Sequence, residues 1–284
     1  MKLQLLLAVC ALALAGGAAS PTIAVPQSPV ITRGIIRDEY GTPLARRDGA
    51  RLELVKRDQP SGRVYAACDV GDYGYVGMNY RLSLEIDSAG PVRERAVVKG
   101  TPMMIVATLD GEKVELSPTP VFAAPKQGTC QRIDYTLGAD EDGDGLPDDW
   151  EWWVLLLAGL DCDEEAIAAF SPDDDPDGDG MSNRAEFLAG TDPFNETDLF
   201  SITGCERVGS GEESRTAITF TTVLGRSYRV LMSETLRQPA WSPVASAKTA
   251  DGELSYAVYP GTGYEMTVYV PDAIGNVFFK VSAE

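Results

Sequence analysis

The sequence predicts a mainly β protein, in which two antiparallel β-sandwich domains are joined by a small helical segment that carries two acidic loops. Apolar and polar residues alternate through residues 30–137 and 199–284, as they do in half-buried strands. Residues 140–198 break this pattern and hold 20 of the 43 acidic residues beside one base, Arg184. Since both flanking regions are close to neutral, the acidic residues of this segment are expected to bind a cation there.

The chain begins with a predicted secretory signal peptide. Lys2 is followed by an apolar run from Leu3 to Ala15 and then by small residues, and cleavage after Ala15 or after Ala19 fits equally well. We expect a signal peptide over residues 1–19, a linker over 20–29 and no membrane span in the remaining chain. The predicted location is therefore secreted, either extracellular or periplasmic.

The first β-sandwich domain is expected at residues 30–137. Leu52 and Leu54 alternate with charged neighbours, and apolar residues alternate likewise over 80–86. Asp110 and Gly111 separate two apolar runs and indicate a type I′ hairpin turn. The stretch RGIIRDEYGTPL at 33–44 resembles the first strand and turn of carboxypeptidase-regulatory-like or prealbumin-like sandwiches.

Two acidic runs follow the spacing of a 12-residue calcium loop, with oxygen-bearing side chains at positions 1, 3, 5, 9 and 12 and glycine at position 6. Position 7 would contribute a backbone carbonyl. In the first run, the candidate ligands are Asp140, Asp142, Asp144, Leu146, Asp148 and Glu151. In the second run, they are Asp175, Asp177, Asp179, Met181, Asn183 and Glu186. Because Ca²⁺ takes six to eight oxygen ligands, the sequence predicts two Ca²⁺ sites.

A helix is expected after each loop. Pro147 suits a first helical turn, where its missing N–H costs nothing. The apolar stripe of this helix would comprise Trp150, Trp153, Val154 and Leu157. The tryptophans at 150, 152 and 153 are interpreted as a packing cluster, with a carbohydrate platform as the alternative. After the second loop, Ser182 is expected to cap a short helix through Leu188, with stop signals at Gly190 and Pro193.

The stretches DEDGDGLPDDWE and DPDGDGMSNRAEFLAGTDP resemble the thrombospondin type 3-like, or dockerin-like, calcium segments of secreted bacterial multidomain proteins. The resemblance assigns residues 138–198 to a paired EF-hand-like calcium segment and implies β-sandwich domains on either side. Position 8 departs from calmodulin-like loops, because Pro147 and Ser182 replace the usual aliphatic residue. This departure favours a structural clasp over a sensor that opens on binding calcium.

The last β-sandwich domain is expected at residues 199–284. Alternation predicts strands around Ile218–Phe220, Tyr228–Val230, Leu254–Val258, Tyr264–Val270 and Val277–Val281. Their spacing and their turns fit a fibronectin-like or immunoglobulin-like sandwich. The stretch TTVLGRSYRVLMSETL resembles the C-terminal sandwich repeat that often follows such calcium segments in environmental bacteria.

Signal cleavage would leave four cysteines, an even number that suggests two disulfides in an oxidising compartment. Four cysteines allow three connectivities. The favoured pairs are Cys68–Cys130 and Cys162–Cys205, and the alternative is four isolated buried thiols.

We predict no catalytic residues. The chain has no histidine, which excludes Ser-His-Asp catalysis and every His-ligated metal centre, and its pI of about 4.4 argues against nucleic-acid binding. The leading hypothesis is a non-catalytic calcium-binding protein with a structural or adhesive role and an unknown extracellular protein or glycan as partner. The alternatives are a carbohydrate- or protein-binding accessory module that uses Tyr73, Tyr75 and Trp241, a dockerin-like docking protein, and a carboxylate-type hydrolase.

Overall fold

The computed structural model describes residues 28–71, 78–87, 94–211, 214–237, 240–272 and 277–283. The predicted signal peptide, most of the predicted linker, and Tyr73 and Tyr75 lie outside the described residues. Within the described ranges, no helix combines the length and the apolar content that a bilayer crossing requires.

The region before the acidic loops forms three sheets in its described part. One sheet has the strand order β11-β1-β5-β6, the second has the order β10-β7-β3-β4 with β8 on β7, and the third has the order β2-β12-β9. The strands are β1 (Val30–Gly34), β2 (Ile36–Arg37), β3 (Ala50–Lys56), β4 (Ala66–Asp69), β5 (Tyr80–Asp87), β6 (Ala96–Val98), β7 (Pro102–Leu109), β8 (Glu112–Val114), β9 (Leu116–Ser117), β10 (Val121–Ala123), β11 (Cys130–Arg132) and β12 (Tyr135–Leu137).

The predicted alternation places one face of each long strand in a common core. Leu52 and Leu54 of β3 are buried in it with Leu82 and Leu84 of β5. Leu109 pairs with Glu112 across a turn in which Asp110 and Gly111 have φ of 50° and 87°. Positive φ at both central positions is the conformation of the type I′ turn, so the predicted hairpin is confirmed.

The sheets are mainly antiparallel, and the predicted mainly β fold class is confirmed. Three short pairings are parallel: β1 with β11, β2 with β12, and β5 with β6. Alternation of apolar residues is the same in either direction, and so the sequence pattern did not predict these parallel edges.

The acidic segment contains three helices in its described part: α1 (Asp148–Leu157), α2 (Glu164–Ala169) and α3 (Asn183–Ala189). Ser182 caps α3 and Gly190, with φ of 81°, ends it, as predicted. Pro147 is the extended residue before α1 and does not lie in its first turn. Helix α2 was not predicted. It is only 6 residues long and has no fully buried residue.

The predicted apolar stripe of α1 was partly wrong. Trp150 and Val154 are buried, but the third apolar contact is Leu155, while Trp153 and Leu157 are 43% and 62% exposed. The small core of this segment covers one face of α1 only, where Trp150 packs 5.2 Å from the ring of Phe187. The tryptophans therefore do not form one packing cluster, since Trp152 and Trp153 remain 44% and 43% exposed while Trp150 is buried.

The region after the acidic loops forms two sheets in its described part, with the orders β13-β14-β18 and β16-β15-β17, and β19 joins the second sheet beside β15. Phe220, Tyr228, Val230, Val268 and Val270 form most of its core. The strands are β13 (Ile202–Val208), β14 (Arg215–Phe220), β15 (Ser227–Ser233), β16 (Ser242–Pro243), β17 (Tyr259–Pro260), β18 (Met266–Pro271) and β19 (Phe278–Ala283).

The predicted strand at Leu254–Val258 was wrong. Ser255 makes an isolated bridge to Ser246, Tyr256 is 67% exposed, and the next strand begins only at Tyr259. Alternation alone does not create a strand, because the backbone also needs a neighbouring ladder to pair with. The described strands before residue 138 pair only among themselves, as do those after residue 201. The exact domain boundaries stay predictions.

The predicted disulfides Cys68–Cys130 and Cys162–Cys205 are not formed in this structure, where Cys130, Cys162 and Cys205 are free thiols. Cys68 faces the first core from β4, whereas Cys130 is exposed on β11, an edge strand of a different sheet. A side chain in a core and one in solvent do not meet. The even number of cysteines carried no information about this geometry.

Candidate metal centre

Each acidic loop brings three aspartate side chains together. In the first loop, one carboxylate oxygen from each of Asp140, Asp142 and Asp144 lies within 4.8 Å of the others. In the second loop, Asp175, Asp177 and Asp179 do the same. Three like charges at this separation repel one another strongly, and so each cluster suits a bound cation.

The first loop is folded by hydrogen bonds from its own backbone to these carboxylates. Gly145 donates its N–H to Asp140 Oδ2 at 3.1 Å, and Asp144 donates its N–H to Asp142 Oδ1 at 3.1 Å. Leu146 donates its N–H to Asp144 Oδ1 at 2.8 Å. The backbone thus curls around the carboxylates and points them inward.

The second loop repeats the same three hydrogen bonds. The bond from Gly180 to Asp175 Oδ2 is 3.0 Å long, that from Asp179 to Asp177 Oδ1 is 3.1 Å, and that from Met181 to Asp179 Oδ1 is 2.7 Å. Positions 4 and 6 are left-handed glycines in both loops, with φ of 75° and 94° in the first and 78° and 96° in the second. The two loops therefore share one backbone conformation, which glycine adopts at least cost.

Glu151 is buried in the first turn of α1, behind the first cluster. It is 0% exposed, and neither carboxylate oxygen has a hydrogen-bond partner among the described residues. Burial, followed by the charges of Asp144, Asp142 and Asp148, raises the pKa of Glu151 to about 9. A buried carboxylate without a partner is costly, and a divalent cation at the cluster is the compensation that this arrangement fits.

Glu186 occupies the equivalent place in the first turn of α3. It is 0% exposed; Thr191 donates its hydroxyl to Oε1 at 3.1 Å, while Oε2 has no partner within the described ranges. Burial raises the pKa of Glu186 to about 7, and Asp177 and Asp179 add to the shift. Its environment is therefore less extreme than that of Glu151 because one oxygen is already satisfied.

The ninth positions of the two loops differ. Asn183 is fully buried and donates its side-chain amide to the carbonyl of Ser171 at 2.7 Å, which leaves its Oδ1 as a buried oxygen without a partner in the described structure. Asp148 is partly exposed, and its Oδ1 accepts the N–H of Glu141 at 3.1 Å. The second loop therefore keeps a buried amide oxygen at its ninth position, whereas the first uses Asp148 to close the loop.

The candidate metal ligands of the two loops are all oxygen atoms, which come from carboxylates, from one side-chain amide and from the backbone carbonyls of Leu146 and Met181. Ca²⁺ prefers such ligands and tolerates irregular geometry. Only the aspartates at positions 1, 3 and 5 of each loop have carboxylate oxygens within 4.8 Å of one another, so Asp148, Glu151 and Glu186 lie outside these clusters. The buried, unpartnered oxygens of Glu151, Glu186 and Asn183 nevertheless fit a cation in each loop.

Sequence reasoning missed the residues that fasten the loops to their surroundings. Ser117 of β9 donates its hydroxyl to Asp140, and Arg184 of α3 donates to the carbonyls of Asp144 and Gly145 in the first loop. Arg184 was recognisable only as the single base of the acidic segment. These contacts join residues up to 40 positions apart, and no local spacing predicts them.

Comparison with known proteins supports the assignment of the second loop. A family model described as the bacterial TSP3 repeat matches residues 175–196, which span the second loop, α3 and the turn after it. Repeats of this family bind calcium and are typical of extracellular proteins. The resemblances suggested for the flanking regions stay predictions.

Two broader comparisons add no functional argument. No curated protein matches the chain. A solved structure from Bacteroides uniformis ATCC 8492, a protein that has been proposed to bind carbohydrate, is similar over 90% of this chain and 89% of its own. The sequence identity is 7% and the TM-score is 0.21, which is too low to support a comparison of folds.

Proposed function

We propose that this chain is an exported, non-catalytic calcium-binding protein with a structural or adhesive role, in which two Ca²⁺ ions make the segment between two β regions rigid. The observation that carries the proposal is the pair of fully buried glutamates, Glu151 and Glu186, which together keep three carboxylate oxygens without a hydrogen-bond partner in the described part of the chain. Aspartate clusters alone are common on protein surfaces. Buried glutamate oxygens without a partner, whose charge the neighbouring aspartates disfavour, call for a cation.

The calcium ions would be held by ligands from both loops and their exit helices. Asp140, Asp142, Asp144, the carbonyl of Leu146, Asp148 and Glu151 would hold the first ion. Asp175, Asp177, Asp179, the carbonyl of Met181, Asn183 and Glu186 would hold the second. The bound ions offset the repulsion among the carboxylates, so that both exit helices are fixed relative to their loops.

Each loop is also attached to a neighbouring β region. Ser117 of β9 contacts Asp140 in the first loop, and the Met181 sulfur of the second loop accepts the N–H of Phe200, just before β13. A calcium-ordered segment would therefore hold both β regions in place. This supports a structural role, because the acidic side chains are used for holding cations and a coordinated carboxylate is a poor proton carrier.

Export completes the proposal. Extracellular calcium-binding modules commonly have dissociation constants of about 10⁻⁴–10⁻³ M, which suits permanent occupancy outside the cell. The proposed signal peptide and the likeness to TSP3 repeats both support such a location.

The proposal is tested by titrating the protein with calcium and with terbium, whose luminescence the neighbouring tryptophans would sensitise. Two ions are expected per chain. Glu151→Gln and Glu186→Gln should each lose one site, because each removes the buried charge of one loop. Glu165→Gln is the matched control, since this exposed glutamate lies in the same segment but outside both loops.

Limited proteolysis provides a second readout. When the free calcium concentration is ten times the dissociation constant, each site adds about 1.4 kcal/mol to the free energy of unfolding. Chelation should therefore lower the melting temperature and expose residues 140–198 to cleavage. Identical cleavage with and without chelator, or two full sites in both glutamine variants, would overturn the proposed function.

A further inference from the structure

Helix α1 carries apolar side chains on two opposite faces. After its first turn, residues 152–157 are all apolar. Val154 and Leu155 lie on the inner face, which is buried in the small core of the acidic segment. The outer face is between 43% and 62% exposed at each of its large apolar residues, which are Trp152, Trp153, Leu156, Leu157 and, just after the helix, Leu160. A helix that is apolar on all sides is normally covered on all sides, and so we expect a partner for the outer face.

The side chains of the outer face form one continuous surface, because residues four apart lie on the same side of a helix. Trp152 and Leu156 form one such pair, and Trp153 and Leu157 form the next. Trp153 also contacts Tyr40 of the first β region edge to face, with 6.1 Å between the ring centroids. Tyr40 is itself 45% exposed. The apolar surface therefore extends beyond the helix.

A cleft of about 490 Å³ adjoins the outer face and is acidic. Tyr40 and Trp153 line one part of it, and Asp192 and Asp198, which follow α3, line another. Partial burial raises the pKa of Asp198, and the charge of Asp192 acts in the same direction. Arg226 also lines the cleft, but its guanidinium donates to four oxygen atoms elsewhere, and no salt bridge joins it to either aspartate in the described structure.

The outer face is also acidic at both of its ends. Asp149 lies one turn before Trp152 on the same side of α1, and Asp161 follows the last residue of the outer face. Both aspartates are exposed, and neither is in a salt bridge within the described ranges. Two Ca²⁺ ions would offset only four of the nineteen net negative charges of residues 140–198. A complementary partner therefore presents positive charge beside an apolar surface.

We propose that the outer face of α1 binds a basic amphipathic helix of another protein. Apolar side chains of the partner contact Trp152, Leu156 and Leu157. A lysine or arginine beside them enters the cleft next to Asp192 and Asp198, where carboxylates and aromatic rings both favour a cation. An amphipathic helix suits this surface because its apolar residues recur on one face. The inference rests on the adhesive part of the proposed function, for which it names the chemistry of the partner.

Charge separates this partner from two others that an exposed apolar face could contact. A second copy of the chain would place the same acidic residues against one another, and like charges across an interface oppose binding. An anionic bilayer would repel the acidic segment for the same reason. A basic helix turns the same charges into an attraction.

The test titrates the calcium-saturated mature chain with a designed helical peptide of about 14 residues, or four turns, that has leucine on one face and lysine on the other. A second peptide keeps the leucines and replaces every lysine by glutamate. The lysine peptide should bind with a dissociation constant on the order of 10 μM, and more weakly as salt is added, whereas the glutamate peptide should not bind. Absence of binding by the lysine peptide, or equal binding of both peptides, would overturn the proposal.

Matched variants locate the binding site. Leu156→Gln should weaken binding of the lysine peptide about tenfold because it removes one apolar contact, and Leu236→Gln is its control, since Leu236 is an exposed leucine of the second β region. Asp192→Asn should weaken binding about threefold because it removes one charge of the cleft, and the exposed Asp251 provides the control Asp251→Asn. Equal effects of a variant and its control would refute the site.

Two further measurements test the other occupants. The mature chain alone should sediment as a monomer, and vesicles of phosphatidylcholine and phosphatidylglycerol should leave its tryptophan emission unchanged. Dimer formation or vesicle binding that Leu156→Gln abolishes would assign the outer face to a second copy or to a bilayer, and would overturn the proposed basic partner.

Failure of this inference is distinguishable from failure of the proposed function. Leu156→Gln and Asp192→Asn should keep two terbium sites, because neither residue is a candidate metal ligand. Two terbium sites without peptide binding would remove only this inference. Peptide binding without any terbium site would remove only the proposed calcium role.

Discussion

At the scale of single residues, burial separates three of the candidate ligands from ordinary surface acids. Exposed acidic residues require no partner, whereas Glu151, Glu186 and Asn183 are completely buried and keep unsatisfied oxygens in the described structure. The sequence predicted their positions from loop spacing. It did not predict that Asp148 and Asn183 at the ninth positions would differ in burial and hydrogen bonding, because the environment of Asn183 depends on the carbonyl of Ser171.

The glycines at position 6 provide a matched pair of substitutions. Gly145 and Gly180 both have left-handed φ, so alanine at either position costs about 1–2 kcal/mol in backbone strain. At Gly145 an added Cβ would also lie 2.9 Å from Arg184 Nη1, whereas at Gly180 nothing lies within 4 Å. Gly145→Ala should therefore lower the urea midpoint more than Gly180→Ala does. Equal urea midpoints would show that the Arg184 side chain moves away from the added Cβ without loss of stability.

At the scale of elements, α3 connects the two loops. The helix begins at Asn183 of the second loop, and the next residue, Arg184, reaches two carbonyls of the first loop. Ordering of α3 by an ion in the second loop would therefore help to order the first. The cap and stop signals in the sequence correctly predicted that α3 exists and, to within one residue, where it stops, but contact between the loops depends on packing.

Arg184→Lys tests this connection. Lysine keeps the charge but has one ammonium nitrogen in place of the two guanidinium nitrogens with which Arg184 reaches the two carbonyls. Calcium affinity of the first loop should fall roughly threefold to tenfold, the equivalent of one lost hydrogen bond, while the second loop keeps its affinity. Terbium titration in the Glu186→Gln background measures the first loop alone. An unchanged terbium affinity of the first loop when Arg184→Lys is added to Glu186→Gln would disprove the connection.

At the scale of the whole molecule, one buried arginine joins three parts of the chain. Arg226, beside β15, donates to the carbonyl of Tyr40 at 2.7 Å and to the Thr42 hydroxyl at 3.0 Å in the first β region. It also donates to the carbonyls of Phe187 and Leu188 at 2.9 Å and 3.0 Å, which closes the end of α3. This residue therefore caps α3 and fastens both β regions to it.

Removal of this contact should loosen the assembly of the three parts. Arg226→Met leaves four acceptors without their donor, and we expect a loss of about 3 kcal/mol in the free energy of unfolding. Calorimetry should show the single transition broaden or divide into two. Arg215→Met is the control, because Arg215 donates to the carbonyl of Thr249 within the same β region. An equal effect of both variants would contradict a joining role for Arg226.

The sequence by itself determined the mainly β class, most long strands, the hairpin at Asp110 and Gly111, and the loop positions, because each depends on neighbours within about a dozen residues. Only the tertiary structure decided the parallel edges, the absence of a strand at Leu254–Val258 and the separate cysteines. Each of these depends on which distant surfaces meet. The spacing of residues along the chain does not predict such contacts, because they are set by the packing of whole sheets and helices.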